Sequence, residues 1–110
     1  MDQLLTNIYS LVPTATVFLA SIIWDPGIGK PSVANCTASF NANLPGIVES
    51  FRESGMKINY VPMYENSLIC GTSGSREGAD KCCSDQTHPV QVGYNDMARI
   101  WTASLTQAGF

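Results

Sequence analysis

Apolar residues follow two patterns along the chain, and the two patterns alternate. Helical spacing predicts amphipathic helices over Asp2–Val12, Ser32–Ser54 and Gln91–Thr106. Between them, Thr16–Ile23 and Lys57–Tyr64 are short runs rich in β-branched and apolar residues, typical of strands in a parallel sheet. The order helix, strand, helix, strand, helix therefore predicts an α/β fold with parallel strands joined by helical crossovers.

Prolines and glycines indicate where these elements end. Gly55 is placed to end the second helix, and Pro62 is expected to end the second strand because proline cannot donate to a ladder. Pro45 lies inside the second helix, so we expect either a kink there or a regular helix that begins near Asn43. Two parallel strands do not make a stable sheet alone. We therefore expect the chain to be part of a larger doubly wound domain.

Composition excludes two classes of partner. The 110 residues are 45% hydrophobic and carry a net charge of −3, with only six lysines and arginines, which are scattered. Nucleic acids and anionic membrane surfaces require clustered basic residues. No apolar run approaches the roughly 18 residues that span a bilayer. We expect neither nucleic acid nor a membrane as partner.

Four cysteines in so short a chain favour an oxidising compartment. Met1 is nevertheless followed by Asp2 without a basic segment, so no signal peptide is expected in this chain. Both observations agree if the chain is the C-terminal part of a longer secreted protein. The glycosylation sequon Asn35-Cys36-Thr37 fits this interpretation weakly.

Three of the cysteines, Cys70, Cys82 and Cys83, lie in a predicted long loop over Ser67–Ser84. A metal site with His88 is one interpretation, but adjacent cysteines bind a single ion poorly and no C-x-x-C spacing occurs. A disulfide from Cys70 to Cys82 or Cys83 is favoured instead, and no metal or cofactor is expected. Three alternatives stay open for Cys36, namely pairing with Cys83, pairing with a residue upstream, or no pairing.

The most informative stretch surrounds the only histidine, His88, which is followed by Pro89. Asp85 precedes the histidine by three residues. If the intervening residues turn, the carboxylate accepts a hydrogen bond from one imidazole nitrogen and leaves the other as a general base. The competing interpretation is a surface or helix-capping histidine, and the spacing alone does not decide between them.

The wider pattern D-x-x-H-P-x-x-x-G-Y, from Asp85 to Tyr94, leads into the last helix. It resembles the last conserved block of the SGNH (GDSL-type) hydrolases, and the chain is most similar to fungal and bacterial members grouped with carbohydrate esterases. Three earlier segments follow that family's order: Thr16–Ala20, Asn41–Pro45 and Val61–Tyr64. The resemblance implies that residues 1–110 are the C-terminal half of a flavodoxin-like, three-layer α/β/α esterase domain.

The resemblance also implies a mechanism. A serine in a G-D-S block attacks an ester carbonyl, His88 takes its proton, and Asp85 orients the imidazole. The substrate would be an ester, such as an O-acetyl group on plant polysaccharide. No G-D-S block occurs in the sequence and no G-x-N-D block precedes the first helix, so the isolated chain is expected to be inactive. The alternative is a non-catalytic remnant or a small disulfide-stapled binding module.

Overall fold

The structure is a computed structural model that describes residues 1–23, 31–66 and 88–110. Helices and strands alternate along these residues, with one short helix after the second strand. The elements are α1 (Asp2–Leu11), β1 (Thr16–Ala20), α2 (Pro31–Glu53), β2 (Lys57–Val61), α3 (Met63–Asn66) and α4 (Gln91–Gln107). The predicted order of the five main elements is confirmed.

The two strands pair in parallel. Thr16 lies opposite Lys57 and Ala20 opposite Val61, with every residue between them in register. The helix α2 connects the strands, as a parallel pair requires. The predicted parallel α/β arrangement is therefore confirmed.

Helices cover both faces of this sheet. Alternate strand residues point to opposite faces. On one face, Val17 and Leu19 pack with α1 and α2 in a cluster whose buried members are Leu5, Val48 and Ile58. Tyr9 of α1 stacks on Phe51 of α2, with ring centroids 6.0 Å apart.

On the other face, α4 supplies the cover. Phe18 and Ala20 of β1 pack against a second cluster whose buried members are Val61, Met63 and Ile100. Both faces of β1 thus meet apolar side chains, which explains why its sequence lacks polar alternation. The result is the predicted three-layer α/β/α arrangement.

Both strands end sooner than their apolar patterns predict. β1 ends at Ala20 rather than Ile23, because Ser21 makes the last bond to β2 and Ile22 pairs with a side chain of α2 instead. β2 ends at Val61, directly before Pro62, as the missing proline donor predicts. The short helix α3 then takes up Met63, which was expected in the strand.

The long helix α2 runs without interruption through Pro45, so the prediction of a regular helix beginning only near Asn43 is wrong. Its end at Gly55 is confirmed. Gly55 has φ of 83°, a conformation that glycine adopts without steric cost. Its amide bonds to the carbonyl of Arg52 (2.8 Å), and the amide of Met56 bonds to Phe51 (3.0 Å), which together close the helix.

The buried side of α4 differs from the one that the apolar spacing of Gln91–Thr106 predicts, which consists of Tyr94, Met97, Ala98, Trp101 and Leu105. Met97 and Trp101 contact the core as expected, but the most deeply buried apolar side chain of this helix is that of Ile100. Tyr94 is 49% exposed and Ala98 is also exposed. The core-facing stripe is therefore rotated toward Gly93 and Ile100, which are both buried. Among the described residues no helix is both long and apolar enough to cross a membrane.

Candidate functional site

The single histidine lies at the entrance to α4. His88 is exposed, whereas Pro89 and Val90 are half-buried. Val90 caps the helix in an extended conformation, with φ of −79° and ψ of 174°. Because proline fixes its own φ near −65°, Pro89 restricts the backbone between the histidine and the helix. His88 therefore lies at the surface, with the two half-buried residues Pro89 and Val90 between it and the packed helix.

The direction of α4 determines which edge of the sheet the histidine occupies. Phe110, just after the helix, lines a groove with the first residues of both strands, Thr16 and Lys57. Ile100 instead packs against Val61, the last residue of β2. The helix consequently runs antiparallel to the strands, and its rise of about 1.5 Å per residue carries its start past their carboxyl ends. Parallel α/β folds place their sites at this edge.

The partners predicted for the histidine and for the disulfide lie outside the described residues. This applies to Asp85, Cys70, Cys82 and Cys83, so their pairings stay predictions. Cys36 is described. It lies in α2, is exposed and carries a free thiol, which agrees with the alternative in which it forms no disulfide.

A G-x-N-D sequence occurs within α4 at Gly93–Asp96, after the histidine. The amide oxygen of Asn95 accepts a hydrogen bond from the side chain of Gln91 (2.9 Å), one turn earlier. Asp96 forms an ion pair with Arg99 (2.9 Å). This segment is a regular part of the helix, and its side chains have partners along the helix itself.

A buried serine joins the carboxyl ends of the two strands. Ser21 is 3% exposed, and its amide continues the ladder to the carbonyl of Val61 (3.1 Å). Its hydroxyl donates to Oε2 of Glu65 (3.0 Å) and accepts a bond from the amide of Tyr64 (2.8 Å). A buried hydroxyl needs such partners to offset its lost hydration. The serine thereby fixes α3 against the end of β1.

The same carboxylate binds a tyrosine. The hydroxyl of Tyr60 donates to Oε1 of Glu65 at 2.6 Å. Burial and, to a smaller extent, the hydrogen bond to the Glu65 carboxylate together raise the pKa of Tyr60 to about 12, while a hydrogen bond with Ser21 opposes them. The phenol is therefore neutral throughout the physiological range. Ser21, Tyr60 and Glu65 form one hydrogen-bonded group, which we call the edge network.

An asparagine of α2 bonds to the backbone of Ile22, the second residue after the end of β1. Asn41 is 4% exposed, its Oδ1 accepts from the amide of Ile22, and its Nδ2 donates to the carbonyl of the same residue, both at 2.8 Å. The side-chain amide thus takes the place of a neighbouring strand. Ile22 is held at the carboxyl edge even though the regular ladder has ended.

Two sequence signals for this edge were overlooked. Ser21 is the first polar residue after a buried strand, a position that faces the carboxyl edge of a parallel sheet. Asn41 interrupts the apolar stripe of α2 next to Phe40 and Leu44, and a polar residue in such a stripe needs a buried partner. No simple pattern marks Tyr60 and Glu65, because their contact depends on the unpredicted helix α3.

With this geometry established, comparison with known proteins identifies the class of fold. No family model matches the chain. The structure superimposes on a family 3 carbohydrate esterase from Clostridium thermocellum with a TM-score of 0.73, over 97% of this chain and at 23% sequence identity. The chain therefore shares the α/β fold of part of that esterase, and the predicted resemblance to carbohydrate esterases is confirmed at the level of the fold.

A sequence relative gives a second comparison. A protein of Acetivibrio thermocellus named "Putative endoglucanase X" is 26% identical over 102 residues, which are 92% of this chain. The chain spans 38% of that protein and 45% of the esterase structure. More than half of each protein therefore lies outside the part that is similar to this chain.

Proposed function

We propose that this chain forms the C-terminal part of a secreted SGNH-type hydrolase that cleaves carbohydrate esters. In this proposal, residues 1–110 supply the aspartate and the histidine of a Ser-His-Asp triad, through Asp85 and His88. The serine nucleophile and the oxyanion donors come from the rest of the domain.

Each proposed residue has one chemical task. His88 takes the proton of the serine hydroxyl as it attacks the ester carbonyl and returns it to the departing alcohol. Asp85 accepts a hydrogen bond from the other imidazole nitrogen, selects the tautomer and stabilises the imidazolium. The free sugar hydroxyl leaves first, and a water activated by His88 then hydrolyses the acyl-serine, which releases the carboxylic acid (acetate for an O-acetyl ester) and restores the serine.

The observation that carries this proposal is the position of His88. An exposed imidazole, joined through a proline to a packed helix on the carboxyl side of the sheet, suits a general base that must reach a substrate from solvent. The edge network and the Asn41–Ile22 pair hold the neighbouring strand ends in place. The similarity to a carbohydrate esterase supports ester hydrolysis as the reaction at this edge of the sheet. The substrate class that we propose is an O-acetylated polysaccharide.

A chimaera provides the test. Residues 1–110 replace the similar 45% of the Clostridium thermocellum esterase, and turnover of an aryl acetate is measured. We expect the chimaera to hydrolyse the ester. We also expect His88→Ala and Asp85→Asn each to lower kcat by roughly 10⁴-fold, because base and tautomer control are lost.

Glu53→Gln is the matched control for the carboxylate substitution. Glu53 is exposed at the end of α2, next to the opposite edge of the sheet, and its loss should leave kcat within about twofold. A folded chimaera that is inactive, or whose turnover survives His88→Ala, would refute the assignment.

A further inference from the structure

The outer edge of β1 carries backbone groups that β2 does not use. Ser21 donates its amide to Val61 of β2 (3.1 Å). In a parallel ladder the amide and carbonyl of one residue point to the same neighbour, and successive residues alternate. Val17 and Leu19 therefore also face β2, whereas Phe18 and Ala20 turn their amides and carbonyls to the outer edge.

The outer edge of β2 differs at its start. By the same alternation, Ile58 and Tyr60 face outward from β2, and the backbone groups of Ile58 already have partners. Its amide donates to the carbonyl of Met56 (3.1 Å), and its carbonyl accepts from Nε of Arg52 (2.9 Å). These bonds oppose the pairing of another strand at the start of β2. Among the described residues, the outer edge of β1 is therefore the more open one for a further strand.

Burial agrees with this asymmetry. The residues of β1 from Val17 to Ala20 are only half-buried, although their sequence is apolar on both faces, whereas Ile58 and Val61 of β2 are 2% and 0% exposed. On the sheet face that α1 shares with α2, α1 leaves an apolar stripe uncovered by the described part of the chain. The stripe consists of Leu4, which is 55% exposed, the half-buried Ile8, and Leu11, which is 82% exposed.

We propose that the outer edge of β1 binds a further parallel strand, apolar on both faces and followed by a helix that packs on the Leu4–Leu11 stripe. Resting on the proposed function, the occupant is the part of the esterase fold that carries the serine nucleophile. The match supports this occupant, since 55% of the esterase chain lies outside the similar part. Pairing there would turn β1 from an edge strand into a central one. It would also place the part of the domain that carries the nucleophile beside the carboxyl ends of the strands.

Amide hydrogen exchange on the 110-residue chain gives the first test. Leu19 and Ser21 donate to β2, so their amides should exchange slowly. The amides of Phe18 and Ala20 should exchange at least about tenfold faster than these two. Slow exchange of Ala20 in the dilute chain would show that the chain's own residues cover the edge, and protection that grows with concentration would assign it to a second copy. Either result would overturn the proposal.

The chimaera with the esterase gives the second test. There, Ala20 should become protected at least about tenfold relative to the isolated chain. Ala20→Pro removes the outward amide but no bond to β2, so it should lower the chimaera's melting temperature well below that of Ala20→Val, which keeps the amide. The two variants should melt alike in the isolated chain. Equal melting in the chimaera, or an Ala20 amide that stays unprotected there, would refute the pairing whether or not the chimaera hydrolyses esters.

Discussion

At the scale of single residues, the carboxyl edge of the sheet depends on polar side chains that are almost fully buried. Asn41 and Ser21 are 4% and 3% exposed. Asn41 satisfies the amide and the carbonyl of Ile22 beyond the end of β1, and Ser21 accepts a bond from the amide of Tyr64 in the first turn of α3. A buried polar group costs free energy when it loses its partner, whereas the net gain from each intact bond is modest. A substitution that removes one partner of such a hydrogen bond and leaves the other buried should therefore lower the free energy of unfolding markedly.

Asn41→Ala leaves the amide and the carbonyl of Ile22 without their partners. We expect a loss of about 2–4 kcal/mol in the free energy of unfolding, measured by urea denaturation. Asn43→Ala is the control, because Asn43 lies on the exposed side of the same helix and, within the described part of the chain, its side chain donates to the carbonyl of Ser39 (2.7 Å). Its cost should stay below about 0.5 kcal/mol. Equal effects of the two substitutions would contradict the role of Asn41.

Tyr60 gives a prediction for alkaline pH. Burial and the Glu65 carboxylate raise its pKa to about 12, above the ordinary value of 10.0, because both disfavour the phenolate in the folded protein. The folded state thus gains stability from the neutral phenol below pH 10, and this contribution is lost as pH rises through 12. We expect Tyr60→Phe to reduce the fall in stability between these pH values. Tyr94→Phe, at an exposed position, should leave the pH profile unchanged.

At the scale of elements, periodicity predicts which segments form but not the exact rotation of each helix. The limits of α1, α2 and α4 agree with their apolar patterns to within one residue. In α4, however, both Tyr94 and Ile100 fit an apolar stripe, and only packing against Val61 and Met63 selects Ile100. The helix α3 also escapes prediction, because four residues are too few to show a period.

The residues of the candidate site also differ in how far the sequence predicts them. His88 and Asp85 are predicted from a motif that is continuous in sequence, and their roles are part of the proposed function. The edge network joins Ser21 to Glu65, residues 44 positions apart, through contacts that exist only after β1 and β2 have paired. The position of Ser21 after a buried strand is visible in the sequence, but its contact with Glu65 is not, so the edge network as a whole emerges only from the structure.

Ile100→Ala tests the observed rotation of α4. Ile100 is 2% exposed, and its truncation should lower the free energy of unfolding by about 2–4 kcal/mol, since both apolar contact and filled volume are lost. Val92→Ala on the same helix is the control, because Val92 is 53% exposed and should cost less than about 0.5 kcal/mol. Thermal or urea unfolding of both variants provides the measurement, and a reversed order would contradict the packing.

The loop predicted for Ser67–Ser84 carries a prediction about covalent structure. We expect mass spectrometry of the unreduced protein to detect a disulfide between Cys70 and either Cys82 or Cys83. Closing about a dozen residues stabilises the folded state by roughly 3 kcal/mol in the chain-entropy model. Cys36, an exposed free thiol, serves as the internal control and should react with an alkylating reagent without prior reduction. Recovery of four reactive thiols from the native protein would exclude the disulfide.

At the scale of the whole molecule, the described residues form part of an α/β arrangement in which a pair of parallel strands lies between helices. Apolar clusters on both faces hold β1 and β2 between helices, so the parallel pair has the cover that it needs. The similarity to a carbohydrate esterase extends over nearly all of this chain but less than half of the esterase. The proposed chemistry therefore depends on residues contributed from both parts of such a fold.

The same division predicts that the 110-residue chain alone will not hydrolyse small aryl acetates. In the proposed mechanism His88 activates a serine of a G-D-S block, and this block does not occur in the sequence. A base without its nucleophile leaves only the slow attack of water on the ester. The measurement compares purified chain with its His88→Ala variant, which controls for contaminating esterases. Background rates that are equal in the two preparations fit the prediction, whereas turnover that His88→Ala abolishes would require a nucleophile among these 110 residues and would overturn the proposed division of the triad.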